Sequence, residues 1–200
     1  LEGVDFNALD VYVGVSSGGF LAAGLANGLT PERMRHMFIE SDTSEEPFEP
    51  EFLLKPAFRE YALRALSVPP LLLASIWNYL ANPWSQSFFE SFQRLSQAIP
   101  TGIFNSAGIH QFLRRIFTAP GRSNDFRQLK RRLFLVATDL DSGESVVFGA
   151  SGREHVPIST AVQASAALPG LFPPVEIDGR HYVDGALKKT LHASVALKEG

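Results

Sequence analysis

Hydrophobic positions along the chain change period several times, and the changes mark out elements. Asp10 to Gly14 is a short β-branched and aromatic run, as expected of a buried strand. Gly18 to Gly28 is apolar almost all round (Phe20, Leu21, Ala22, Ala23, Leu25, Ala26), the pattern of a buried helix. Asn27-Gly28 stops it, and Thr30-Pro31 opens another helix with Thr as N-cap and Pro at the first turn. Beyond a Ser-, Glu- and Pro-rich loop from Ser41 to Pro50, helical periodicity dominates. Phe88, Phe92, Leu95 and Ile99 form one stripe. Ile109, Phe112, Leu113, Ile116 and Phe117 form a second, with His110, Gln111, Arg114 and Arg115 on the other face.

From Leu133 the pattern turns to strands. Leu133 to Ala137 is a strand, Asp141-Ser142-Gly143 a turn, and Ser145 to Phe148 a returning strand. Pro157 opens a small-residue helix that runs to Ala167. Val175 to Ile177 and Arg180 to Val183 flank Asp178-Gly179, a pair suited to a type I′ hairpin turn. The order predicts an α/β fold with helices packed on a sheet, and a helical insertion or cap over roughly residues 41–120. No linker separates two domains. Residue 1 is Leu and the last residues carry no turn or tail signal, so the sequence is expected to be part of a longer catalytic domain.

Composition narrows the function. The chain has 200 residues, 45% hydrophobic and 20% charged, the balance of a globular protein rather than a disordered one. With 18 basic and 21 acidic residues, the net charge of -3 gives no footprint for nucleic acid. Cysteine is absent, which excludes disulfides, thiolate metal sites and a cysteine nucleophile.

Gly14-Val15-Ser16-Ser17-Gly18 fits G-x-S-x-G between a strand and a buried helix. A sharp turn there lifts a serine hydroxyl clear of the backbone, the glycines let the chain pass, and the helix N-terminus faces the site. Ser16 is thereby a candidate nucleophile; the simpler reading is a tight strand-to-helix turn. A serine needs a base. The five histidines are His36, His110, His155, His181 and His192, and none has a marking context. His36 and His110 are expected on solvated helix faces, while His192 follows Ser16 at a distance that a Ser-Asp-His order permits. Two Asp-Gly pairs stand close together. Asp178-Gly179 is simplest as a hairpin turn; Asp184-Gly185 follows a strand, at an end where catalytic groups gather in α/β sheets. An aspartate base is chemically awkward, since its ordinary pKa is about 3.9.

The motifs taken together resemble the patatin-like phospholipase family. Gly14 to Gly19 resembles its nucleophile elbow and Tyr182-Val-Asp-Gly-Ala186 its D-G-G/A motif. Ala137-Thr-Asp-Leu140, Ala164 to Gly170, Phe172-Pro-Pro-Val175 and Pro100-Thr-Gly-Ile-Phe104 resemble further signatures between them. The resemblance implies a three-layer α/β/α fold, no cofactor, and hydrolysis of acyl esters in lipids by a Ser-Asp dyad without histidine. Carried over, Ser16 forms an acyl-enzyme and Asp184 takes its proton. The family's Gly-rich oxyanion loop precedes the elbow, and residues 1–13 do not contain it, so the fragment by itself is expected to be nearly inactive. A Ser-His-Asp esterase of α/β-hydrolase type and a non-catalytic lipid-binding module stand as alternatives. The partner expected is an acyl lipid. The uncharged residues 65–89, with Trp77, Tyr79 and Trp84, are expected either to pack as a cap or to touch a membrane peripherally.

Overall fold

A computed structural model of the chain describes residues 5–37, 107–190 and 192–199. The elements are β1 (Val11–Val15), α1 (Ser17–Ala26), α2 (Pro31–Arg35), α3 (Ala107–Thr118), β2 (Arg132–Asp139), β3 (Ser145–Phe148), α4 (Ile158–Ser165), β4 (Val175–Ile177), β5 (Arg180–Asp184) and α5 (Ala193–Glu199). The strands form one mixed sheet, as expected of an α/β fold: β1 runs parallel to β2, while β3 and β5 run antiparallel to it and β4 hairpins onto β5.

β2 organises the sheet. Every residue of it after Arg132 is buried, the mark of a strand covered on both faces. Leu133, Leu135 and Ala137 point into the main core, beside Tyr12, Ala22, Ala23 and Ala161. Small residues on α1 and α4 let these helices lie close on that face and touch each other. The hairpin between β4 and β5 closes as the Asp-Gly pair demands. Asp178 and Gly179 both take positive φ, 52° and 75°, the type I′ pattern.

The remaining turn is held by a buried charge. Asp139, at the end of β2, accepts the Asp141 and Ser142 N–H groups at 2.9 and 3.1 Å and an Arg180 guanidinium N–H at 2.8 Å. Burial pushes its pKa up, but the Arg180 bond and the two backbone donors outweigh that and leave it below the usual carboxylate range.

Two expectations differ from the structure, and others lie outside its described residues. α3 carries the predicted stripe, but Leu113, Ile116 and Phe117 are fully buried in the main core and α3 packs on α4, so it belongs to the core rather than to a cap. Residues 41–106 of the expected insertion, including the Phe88 stripe, the Pro100 signature and residues 65–89, lie outside the described residues. His110 is half-buried rather than solvated. Burial and then the nearby Arg114 charge hold its pKa below the ordinary histidine range, against a hydrogen bond to Gln163 that favours the protonated ring.

Candidate active site

The site forms where two strands meet end to end. β1 pairs with β2 over Arg132–Val136, and β5 pairs with it over Ala137–Asp139. β3 covers Leu135–Thr138 on β2's other edge, so β1 and β5 must share one edge in succession. Their directions along β2 are opposite, one parallel and one antiparallel. Their C-terminal ends therefore converge, with Val15 opposite Val136 and Asp184 opposite Ala137. Ser16 leaves the end of β1 as Asp184 closes β5, and the two side chains arrive together.

Contact between them is direct. The Ser16 hydroxyl donates to Asp184 Oδ2 at 2.6 Å. The other carboxylate oxygen, Oδ1, accepts the Ala186 N–H at 2.8 Å, because Asp184 caps the 3-10 turn Gly185–Leu187. Asp184 is 2% exposed, so its carboxylate has these two partners in place of water. Gly185 must be glycine for space. A Cβ there would stand 2.4 Å from the Val136 carbonyl oxygen and 2.8 Å from Val15 Cγ2. The D-G half of the motif thus reflects how closely β5 ends against β1 and β2.

Ser16 itself is strained, with φ 55° and ψ -132°. Such a conformation in a non-glycine residue costs on the order of 1–3 kcal/mol and persists only when its surroundings impose it. The sequence pattern gives the two glycines of the elbow the same role, but the structure separates them. A Cβ on Gly14 would stand 2.5 Å from Gly19 Cα and 2.6 Å from the Gly18 carbonyl oxygen, whereas a Cβ on Gly18 would meet nothing within 4 Å. Gly14, not Gly18, is what the crossing of β1 and α1 requires. The N–H groups of Ser17 and Gly18 lie in the first turn of α1, where no intrahelical acceptor exists, and both residues are exposed.

The segment that closes α4 braces both partners. Ser165 Oγ accepts the Ser16 N–H at 3.0 Å and donates to the Val136 carbonyl at 2.6 Å. Two residues on, the Ala167 carbonyl accepts the Asp184 N–H at 3.0 Å. Sequence reasoning noted this segment only as a signature. A serine among alanines carries no chemical mark of its own.

None of the histidines hydrogen-bonds Ser16 or Asp184. His155 pairs with Asp178 at 2.9 Å, which places that second aspartate on the hairpin and away from the serine. His181 is exposed, His36 touches Arg35, and His192 is buried with Nε2 unbonded.

Beside Ser16 opens a cavity of about 840 Å³. Its described walls are almost wholly apolar and include Phe20, Leu25, Met34, Ile109, Phe112 and Phe172. This accounts for the all-round apolar pattern of α1. Ala22, Ala23 and Ala26 face the core, while Phe20, Leu21 and Leu25 line the cavity, and Leu21 is 49% exposed.

A family model described as patatin-like phospholipase matches residues 1–197. Over 52 residues the chain is 44% identical to an uncharacterized NTE family protein of Mycobacterium bovis, and to one of Mycobacterium tuberculosis to the same degree. Those matches cover 26% of this chain and 13% of each relative, so the shared stretch is a small part of the relatives' length. Among solved structures, VipD from Legionella pneumophila aligns with a TM-score of 0.42 at 16% identity, over 91% of this chain and 41% of that one.

Proposed function

The chain belongs to the patatin-like phospholipase family, and from that premise we propose that it hydrolyses acyl esters of lipids, with Ser16 as nucleophile and Asp184 as base. The observation that carries this reading is the 2.6 Å hydrogen bond to a buried carboxylate from the hydroxyl of Ser16, a residue that lines an apolar cavity.

The chemistry follows from the placement. Asp184 Oδ2 takes the hydroxyl proton as Ser16 Oγ attacks the ester carbonyl carbon. The tetrahedral oxyanion collapses, the alkoxy leaving group departs with that proton, and an acyl-Ser16 ester remains. Water then attacks this ester, giving its proton to Asp184, and release of the fatty acid restores the Ser16 hydroxyl. The first-turn N–H groups of α1, on Ser17 and Gly18, are suited to share the oxyanion's charge, with the helix dipole behind them. Asp184 keeps its orientation throughout because Oδ1 stays bonded to Ala186 N–H.

The cavity favours a long acyl chain over a small polar ester. Its volume lies within the range of about 300–1,000 Å³ common for ligand pockets, and its walls offer almost nothing to hydrogen-bond. Peripheral contact with a membrane through residues 65–89 remains part of the proposal on sequence grounds. The described residues are proposed to form one catalytic domain, with α3 packed in its core. A Ser-His-Asp triad has less support, because no histidine bonds either residue of the pair.

The test is Ser16→Ala in the intact protein, assayed with phospholipid and lysophospholipid micelles and with a fluorophosphonate probe. Turnover is expected to fall by several orders of magnitude, as when a covalent nucleophile is deleted, and labelling is expected to vanish. Turnover close to that of the unaltered protein would overturn the reading.

A further inference from the structure

The parallel ladder between β1 and β2 has a regular rhythm. Val11 lies opposite Arg132, and Arg132 N–H donates to the Asp10 carbonyl. Repeated every two residues, the pattern brings the next rung after Val15 to Ser16 N–H and the Val136 carbonyl. That rung is not made directly. The Ser165 hydroxyl sits between the two groups, accepting from Ser16 N–H at 3.0 Å and donating to Val136 C=O at 2.6 Å.

We propose that Ser165 is a positioning residue whose hydroxyl replaces one rung of the sheet and so holds Ser16 out of the strand, in the conformation that reaches Asp184. The inference rests on the reading of Ser16 and Asp184 as the reacting pair.

Four observations support it. Ser165 is fully buried, at 0% exposed, so no solvent competes for its two bonds. Both groups it bridges are backbone groups that strand pairing would otherwise satisfy, and neither can be left bare at low cost in a buried junction. An inserted oxygen lengthens the connection between Ser16 and Val136, which frees Ser16 to take φ 55° rather than an extended conformation. Gly19 lies beside the hydroxyl: a Cβ there would stand 3.4 Å from Ser165 Oγ, in ordinary contact, so only a side chain larger than alanine's would press on it.

Without the hydroxyl, Ser16 N–H and Val136 C=O are free to close on each other as an ordinary rung. That draws Ser16 toward the strand and away from the carboxylate. A displacement of about 1 Å at a reacting group can cost on the order of 10²-fold in rate.

The experiment compares Ser165→Ala and Ser165→Gly with the unaltered protein and with Ser16→Ala. It measures kcat and KM on a micellar phospholipid, the rate of fluorophosphonate labelling, and crystal structures. Ser165→Ala is expected to lower kcat and the labelling rate on the order of 10²-fold with KM nearly unchanged. Its structure is expected to show Ser16 N–H bonded directly to Val136 C=O and the Ser16–Asp184 bond broken. Ser165→Gly leaves space for a water that bridges the same two groups, so it is expected to be faster than Ser165→Ala despite weakening the helix. A role in packing alone would give the reverse order. The Gly variant also carries the test if the Ala variant does not fold. The proposal is overturned if Ser165→Ala keeps the wild-type labelling rate and the Ser16–Asp184 hydrogen bond, or if Ser165→Gly is slower than Ser165→Ala. Should Ser16→Ala retain turnover, the catalytic reading falls, while the crystal structures still decide whether Ser165 sets the Ser16 conformation.

Discussion

Replacing Gly14 by alanine places a methyl group 2.5 Å from Gly19 Cα, 2.6 Å from the Gly18 carbonyl oxygen and 2.8 Å from Gly19 N. All three are backbone atoms, so no side chain can swing aside. Carbon atoms pack best at about 3.5–4.0 Å, and β1 and the first turn of α1 must separate by roughly 1 Å to admit the methyl. Overpacking of this kind costs about 1–3 kcal/mol. For a domain of 150–250 residues each kcal/mol lowers Tm by about 2–4 °C, so Gly14→Ala is expected to melt roughly 2–12 °C below the wild type. Ser16 lies on the chain between the two separating parts, so hydrolysis should fall further than stability does, on the order of 10²-fold. Gly18→Ala is the matched control, because its methyl meets nothing within 4 Å and its backbone is helical. A helical Gly-to-Ala change gains up to about 0.5–1 kcal/mol, so its Tm should equal or slightly exceed that of the wild type. The assay is thermal unfolding by circular dichroism, with micellar ester hydrolysis in parallel. Equal melting of the two variants, or a Gly18→Ala variant the less stable of the pair, would refute the assignment of different roles to the two glycines.

Asp184→Asn is expected to remain folded, since Oδ1 can still accept the Ala186 N–H, yet to lose about 10²–10⁴-fold in kcat as general base catalysis is removed; steady-state hydrolysis at pH 7 checks this. Asp139 supplies a pH dependence of stability. Its folded pKa is depressed, so its contribution is fully present above the unfolded value of about 3.9 and is lost as pH falls through the folded value. Asp139→Asn should flatten the acid limb of a Tm-against-pH curve between pH 5 and pH 2 and lower Tm at pH 7; an unchanged acid limb would remove the role given to the Arg180 pair. Trp77→Ala/Trp84→Ala should weaken co-sedimentation with phospholipid vesicles if residues 65–89 contact membranes, and equal binding would assign that stretch to packing.

Much of the architecture was legible because it is written in local patterns. The elbow between a β-branched run and a small-residue helix, the Thr30-Pro31 start, the alternation around Asp178-Gly179 and the stripe of α3 all follow from neighbours within a few residues. Each appears close to where its pattern placed it: Thr30 caps α2 by accepting the Arg33 N–H at 3.2 Å, and the hairpin turns at Asp178-Gly179. Choosing Asp184 over Asp178 needed the family resemblance as well, since both are Asp-Gly pairs that follow or lie within strand patterns. Their fates part only in space, one against the Ser16 hydroxyl and the other against His155.

What tertiary structure alone decided is the junction itself. No local pattern tells that β1 and β5 share one edge of β2 and run toward each other, because the pairing of β1 with β2 joins residues 121 positions apart, Val15 with Val136, and the Ser16–Asp184 bond joins residues 168 apart. The reasons for the glycines are of the same kind: at Gly14 and Gly185 an added Cβ would stand 2.4–2.6 Å from the backbone of another element, while at Gly18 it would meet open space. Whether α3 caps the sheet or joins its core could not be read from a stripe that fits either. Ser165 is the clearest case. Its residue type is commonplace in a helix of small side chains, and it gains its place only because a missing rung between Ser16 and Val136 leaves a donor and an acceptor one hydroxyl apart. Periodicity reports which face of an element is apolar, but hydrogen-bond accounting at a strand junction depends on several chain segments at once, and that sum exists only in the folded molecule.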